Sequence, residues 1–179
     1  MKKPFQTDLE AIRRNAREKM REGAVTAGYL ADRQRVVDVL NDVLATETVC
    51  TLRYKNHYFM AAGIFSRPIA EEFLEHAQQE QGHADRVAER IVQLGGVPNL
   101  DPRMLATRSH AEYAEGATLE DMLREDLVAE RIAIQTYSEI VRWLEDDDPT
   151  TRRMMEEILA VEEEHADDLK NLMEKMSRS

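Results

Sequence analysis

From Val37 onward, apolar residues recur every three or four positions, the spacing that places them on one face of an α-helix. Four such stripes follow one another. The first carries Val37, Leu40, Leu44, Thr51, Tyr54 and Tyr58, with Glu47 set among them, in a helix expected from about Arg35 to about Phe65. The second starts at Ser66-Arg67-Pro68, where proline suits a first helical turn, and carries Ile69, Phe73, Ala77, Glu80, His83, Ala84, Val87, Ile91 and Leu94. Gly95-Gly96-Val97-Pro98 stops it. Thr118-Leu119-Glu120-Asp121 is a capping pattern that opens the third, which turns Leu123, Asp126, Leu127, Glu130, Ile134, Tyr137 and Val141 inward. Asp148 and Pro149 read as cap and first residue of the fourth, whose stripe is Met155, Ile158, Glu162, His165, Leu169 and Leu172.

The lengths of the connections order these helices in space. Short links join the first to the second and the third to the fourth, so each pair is an antiparallel hairpin. About 21 residues separate the second helix from the third, enough to reach about 70 Å when extended, against a helix of about 40 Å. A crossover along the bundle is therefore expected. The fold class that results is all-α: a four-helix bundle over residues 33–178, two antiparallel hairpins joined by one long crossover. Residues 1–32 stand apart as an N-terminal arm.

Composition agrees with helices and narrows the setting. Seven glycines and 6% aromatic residues in 179 positions leave little strand signal, and 42% hydrophobic content suffices for one sizeable core. A single cysteine, Cys50, excludes an intrachain disulfide and reads as a packed small side chain. With no apolar leader and charges interrupting every apolar pattern, a reduced cytoplasm and no membrane span are expected. The net charge of -11 disfavours general nucleic-acid affinity, yet residues 1–21 hold seven Lys or Arg against three acidic residues. That arm reads as a short amphipathic helix docked on a neighbour. The competing reading is an arm that binds DNA or another polyanion.

The chemistry lies where the stripes are polar. Glu80 and His83 sit three residues apart on a core-facing stripe, and the fourth helix repeats the pattern as Glu162 and His165. Glu47 and Glu130 occupy the middle of the other two stripes, with no basic residue nearby on the same face. Glu47 and Glu80 flank the Gly63 to Pro68 turn at similar separations, as Glu130 and Glu162 flank Asp146 to Pro149, so all four carboxylates reach mid-bundle level. Buried charges need compensation of several kcal/mol each. Two divalent cations would supply it, and mixed oxygen and imidazole donors suit iron or manganese, with zinc as a competitor. A glutamate from each of two helices plus Glu-x-x-His from each of the others is the pattern of di-iron carboxylate bundles.

Over about Val36 to Lys175, most closely in HADRVAERIVQLGGVPNL and from Asp126 to Glu130, the chain resembles bacterioferritins and related ferritin-like proteins. The resemblance implies that Glu47, Glu80, His83, Glu130, Glu162 and His165 hold two iron ions, with Glu80 and Glu162 as bridges. It also implies that Tyr54 stands near the metals and that Asp126 orients a histidine ligand. Two departures qualify it. Gln81 replaces the methionine that would ligate haem, so no haem is expected, and the chain lacks the short fifth helix of 24-subunit cages. A dodecamer or a dimer is expected instead. For His76 two readings compete, a hydrogen-bonded core histidine and a residue behind the ligands or on the route to them; His57 and His110 are expected at the surface or in loops.

The leading function is then ferroxidase chemistry, oxidation of Fe(II) by O2 or H2O2 for iron storage and detoxification. Peroxide removal of the rubrerythrin or manganese catalase kind uses the same six ligands. A third possibility, of a different class, is a shell that protects DNA through the basic arm.

Overall fold

A computed structural model of the chain describes residues 6–61 and 66–178. Its helices are α1 (Leu9–Glu18), α2 (Arg33–Met60), α3 (Ser66–Gln93), α4 (Pro102–Arg108), α5 (Leu119–Leu144) and α6 (Pro149–Ser177). The four long ones are the expected bundle, α2 packed along α3 and α5 along α6. The end of the first helix expected near Phe65, and the turn from Gly63, lie outside the described residues. No helix among the described residues is long and apolar enough to cross a membrane.

The helix starts follow local chemistry. Asp32 caps α2 by accepting from the Arg35 amide, Thr118 and Asp121 form a reciprocal capping box at α5, and Asp148 caps α6 through the Thr151 amide with Pro149 in the first turn. Two apolar cores result. One gathers Val37, Leu40, Leu44, Ile91, Tyr137 and Ile158; the other gathers Tyr54, Ile69, Phe73, Leu123 and Leu169. The polar stripe positions lie between them.

The crossover is strapped to α2 rather than spanning open solvent. Leu105 of the short α4 packs on Ala45 and Val49, and Ala111 packs on Cys50 and Ala129. Polar side chains of α2 and its neighbours satisfy the crossover's backbone, which a buried loop requires. The Arg53 guanidinium donates to the Glu112 carbonyl at 3.1 Å, His57 Nε2 to the Ala114 carbonyl at 3.0 Å, and Thr46 Oγ1 accepts from the His110 amide at 2.9 Å. His110 is a crossover residue, as expected of a loop position. His57 is not at the surface: it is fully buried inside α2. Gly116 ends the crossover with φ +50°, where a Cβ would come within 2.7 Å of the Met122 amide nitrogen, so only glycine fits.

Residues 6–32 do not form one detached arm. No residue of α1 is buried. Val25, Tyr29 and Ala31, however, pack against the first core, and the Tyr29 hydroxyl donates to Asp148 Oδ2 at 3.0 Å, beside Arg90, which donates to both Asp148 oxygens. The bundle therefore includes the chain from about Val25, earlier than the boundary at 32 that charge and glycine spacing suggest. Three apolar residues spread over seven positions outside any helix leave no periodicity to read.

Candidate metal centre

Each long helix contributes to one pocket at mid-bundle. α2 brings Glu47, α3 brings Glu80 and His83, α5 brings Glu130, and α6 brings Glu162 and His165; none of the six is more than 5% exposed. Their donor atoms fall into two sets: Glu47, Glu80, His83 and Glu162, and Glu80, Glu130, Glu162 and His165, the atoms within each lying within 4.8 Å of one another. Glu80 and Glu162 belong to both. These are the side chains able to bridge two ions.

Around the pocket, hydrogen bonds hold the donors in place. The Tyr54 hydroxyl of α2 donates to Glu130 Oε1 of α5, and the Tyr137 hydroxyl of α5 donates to Glu47 Oε1 of α2. Sequence reasoning placed Tyr54 at the centre but gave Tyr137 only a packing role. A signal was present: each tyrosine follows its helix's glutamate by seven residues on the same face. Tyr54 and Tyr137 thus repeat one relation, as the two Glu-x-x-His pairs do. Burial first, then the adjacent Glu130 or Glu47 carboxylate, pushes both phenols well above their ordinary value, so both keep their protons.

His165 faces the pocket with Nδ1, 3.5 Å from Glu80 Oε1 and 3.4 Å from Glu162 Oε2, while Nε2 meets the Gln79 side-chain oxygen. Gln79 accepts there, so Nε2 carries the proton and Nδ1 presents a lone pair to carboxylates. His165 Nδ1, Glu80 Oε1 and both Glu162 oxygens are buried without a hydrogen-bond partner. A lone pair facing carboxylate oxygens, none of them satisfied, is the arrangement a bound cation completes. The donor set fits two divalent ions of the iron or manganese type.

The charges tell the same story. Burial, then repulsion from Glu162, Glu47 and Glu130, raises the Glu80 carboxyl well above its usual range; burial and Glu162 do so for Glu130; burial and Glu47 raise Glu162. Burial also works to raise Glu47, but hydrogen bonds with His83 and Glu80 outweigh it and hold Glu47 below its ordinary value. Burial would lower His83, whose Nδ1 lies 3.0 Å from Glu162 Oε1 and 3.2 Å from Glu47 Oε2; those carboxylates prevail and lift it to about 10. Burial lowers His165, with Glu130 opposing and His83 assisting.

Asp126 does not orient a histidine ligand. Its Oδ1 accepts from Arg53 Nε at 2.7 Å and its Oδ2 pairs with His57 Nδ1 at 2.8 Å, all three side chains fully buried. One turn before Glu130, it anchors α5 to α2 and the crossover instead. The resemblance implied a histidine ligand as its partner; the structure gives it Arg53 and His57, which come from another helix. His76 unites both of its readings: it is buried, meets the Tyr54 hydroxyl through Nδ1 at 3.2 Å, and stacks on His165 with ring centres 4.0 Å apart. Gln81 is exposed on α3 and donates to Asp85 at 3.0 Å. Burial pushes the Cys50 thiol far up, which leaves it protonated and inert.

Four helices that converge glutamates and two Glu-x-x-His pairs at mid-bundle present the donor pattern of carboxylate metal bundles. The profile of the ferritin-like domain matches residues 37–179, and the chain belongs to that family. The bacterioferritin of Mycobacterium avium is 29% identical over 144 residues, 80% of this chain and 86% of the relative. Among solved structures, the dodecameric thioferritin described as the bacterioferritin-related protein of Bacteroides fragilis superposes with a TM-score of 0.80 at 32% identity, over 83% of this chain and 90% of that one. Rhodobacter capsulatus bacterioferritin, described with a metal-free dinuclear site and haem iron, gives a TM-score of 0.72 at 26% identity, over 81% of this chain and 87% of that one. At the level of the family, these relatives support iron storage and ferroxidase chemistry.

Proposed function

We propose that this chain is a ferroxidase that binds two Fe(II) ions as substrate at the mid-bundle pocket and oxidises them with O2 or H2O2 for storage or detoxification. The observation that carries this reading is the pair of ligand sets sharing Glu80 and Glu162, whose inward oxygens are buried without hydrogen-bond partners. Glu47 and His83 would hold one ion, Glu130 and His165 the other, and the two shared carboxylates would bridge them. Iron bound there supplies the electrons that reduce the oxidant. The protein's part is to position and to manage charge. Tyr137 and Tyr54 fix the terminal carboxylates, Gln79 keeps His165 in the tautomer that ligates, and the protons held by the carboxyls and His83 leave as the ions enter. Manganese or zinc would compete for the same donors. Glutamine stands at position 81, where the resemblance puts the haem-ligating methionine, so no haem is expected there.

A homo-oligomer accompanies this reading. Leu52 and Phe59 on α2, Val97 and Leu100 in the crossover and Val128 on α5 are apolar and exposed. A dodecamer of the kind described for the Bacteroides fragilis relative, or a dimer, would cover them.

Aerobic Fe(II) titration followed by absorbance tests the proposal. A fast phase should saturate at about two Fe(II) per chain, the capacity of two ligand sets. Saturation at one, or no fast phase, would refute it. Continued slow uptake past that point indicates a cage; precipitation of the excess indicates a dimer.

A further inference from the structure

Away from the centre, α1 carries an apolar stripe that the bundle leaves uncovered. Leu9, Ile12 and Ala16, followed by Met20 just past the helix, fall on one face, with Arg13 and Arg17 along one side of it and Lys19 along the other. All four apolar side chains are exposed. A helix of 10 residues is marginal in water without a packing partner, so the stripe needs a cover for the helix to persist. The chain does not close over it. Ile12, Ala16 and Met20 line, with Val25 and Gly28, an open groove of about 370 Å³.

The same end of the molecule presents a side chain that suits this groove. Trp143, the single tryptophan, stands 42% exposed on the last turn of α5, with the Arg35 guanidinium 5.9 Å above its ring. Glu145 and Asp147 follow it in the turn to α6; both are exposed, and neither makes an ion pair among the described residues, whereas Asp146 between them pairs with Arg152 at 2.8 Å. The segment that leads out to α1 is fixed at this turn, where the Leu30 amide donates to the Asp147 carbonyl at 3.4 Å and the Tyr29 hydroxyl to Asp148. Charge matches as well. Residues 1–21 hold seven Lys or Arg against three acidic residues, a charge of +4, which leaves -15 on the remainder of a chain whose total is -11. The arm is therefore attracted to the bundle of another copy.

We propose that the groove of α1 takes Trp143 of a second copy of this chain, with Arg17 turned toward the acidic turn at Glu145 and Asp147 of that copy. An aromatic side chain at the middle of a charge-rimmed patch is the kind of residue that carries interface energy. Groove and tryptophan sit at one end of each chain, so two copies meeting end to end satisfy each other reciprocally, and a closed ring does so in turn. A polyanion pairs with Arg17 but leaves the apolar groove and Trp143 in water. The contact needs no metal and stands or falls apart from the ferroxidase reading.

Trp143 is its own probe, through acrylamide quenching of its fluorescence. Ile12→Asp/Ala16→Asp puts charge into the groove on a helix that has no buried residue, so the bundle still folds. Quenching in the unaltered protein should be about fourfold weaker than in this variant, the ratio of 42% exposure to the roughly 10% left in a packed interface core. Equal quenching overturns the proposal, as does shielding that appears only when duplex DNA or vesicles of anionic lipid are added. A mixed assembly tests whether the cover comes from a second copy. Trp143→Phe, which keeps the groove and lacks the tryptophan signal, is coexpressed with Ile12→Asp/Ala16→Asp under a different tag, and the mixture is purified through both tags. Trp143 of the groove-defective copy should regain its shielding. If it does not, while the unaltered protein is shielded, α1 closes over the Trp143 of its own chain and the second-copy assignment is overturned.

Discussion

Glu80→Gln separates a metal centre from a merely structural polar core. The amide keeps the shape of the carboxyl but removes the group whose pKa burial and three neighbouring carboxylates raise most plainly, and whose Oε1 has no hydrogen-bond partner. In the metal-free protein, one fewer ionisable group at the crowd relieves Glu130 and Glu162. Each pKa unit so removed corresponds to about 1.4 kcal/mol, so the variant should be unchanged or stabilised by about 1 kcal/mol near neutrality. For a chain of this size that is about 2 to 4 °C in Tm. Metal should act in the opposite sense. At a hundredfold excess over Kd each bound ion stabilises the native state by about 2.7 kcal/mol, hence about 5 kcal/mol for two. Glu80 belongs to both ligand sets, and weakening each about a hundredfold would leave less than about 1 kcal/mol of that gain. Anaerobic differential scanning calorimetry with and without Fe(II) or Zn(II) reads both numbers. Glu47→Gln is the internal contrast. It deprives His83 and Tyr137 of their carboxylate partner, so the metal-free protein should lose about 1 to 3 kcal/mol. If Glu80→Gln instead destabilises the metal-free protein as Glu47→Gln does, and leaves the metal-induced shift intact, the pocket is a hydrogen-bonded core and the assignment of Glu80 falls.

The pH dependence has a definite sign above about pH 6.5, where His76 and His165, both lowered by burial, are neutral folded or unfolded. Glu80, Glu130 and Glu162 hold protons in the folded state above their ordinary value of 4.5, so metal-free stability should fall as pH rises in that window; His83 acts in the same direction, its contribution complete below 6.5 and lost as pH rises through about 10. Metal must displace these protons, so affinity should increase with pH and calorimetry in buffers of different ionisation heat should register proton release, against which binding that is flat between about pH 6 and 8 would count. Away from the pocket, Arg53→Met leaves buried Asp126 without its guanidinium and should cost about 3 to 5 kcal/mol in urea denaturation, with faster amide exchange in the crossover at Glu112 to Ala114. A loss below about 1 kcal/mol would show that His57 alone suffices to neutralise Asp126.

The helices, their caps and the hairpin pairing are local properties, and the chain's periodicity and its Ser66, Thr118 and Asp148 starts determine them, since each depends on residues three or four apart. Glu47, Glu80, His83, Glu130, Glu162 and His165 were legible for the same reason: a charge on an apolar stripe is expensive, and turn-centred hairpins bring such positions to one level. What the sequence left open depends on contacts between helices that no spacing records. Asp126 could be placed near the centre but not assigned to Arg53 and His57, because partners on another helix are chosen by packing and rotamer, not by periodicity. His57 looked like a surface histidine because its burial comes from the crossover folding back over α2. The crosswise bonds of Tyr54 to Glu130 and of Tyr137 to Glu47 likewise join α2 to α5, two helices far apart in the chain. Only the assembled bundle decides which acceptor each proton faces, and it is that choice which leaves lone pairs and carboxylates turned toward one another at mid-bundle.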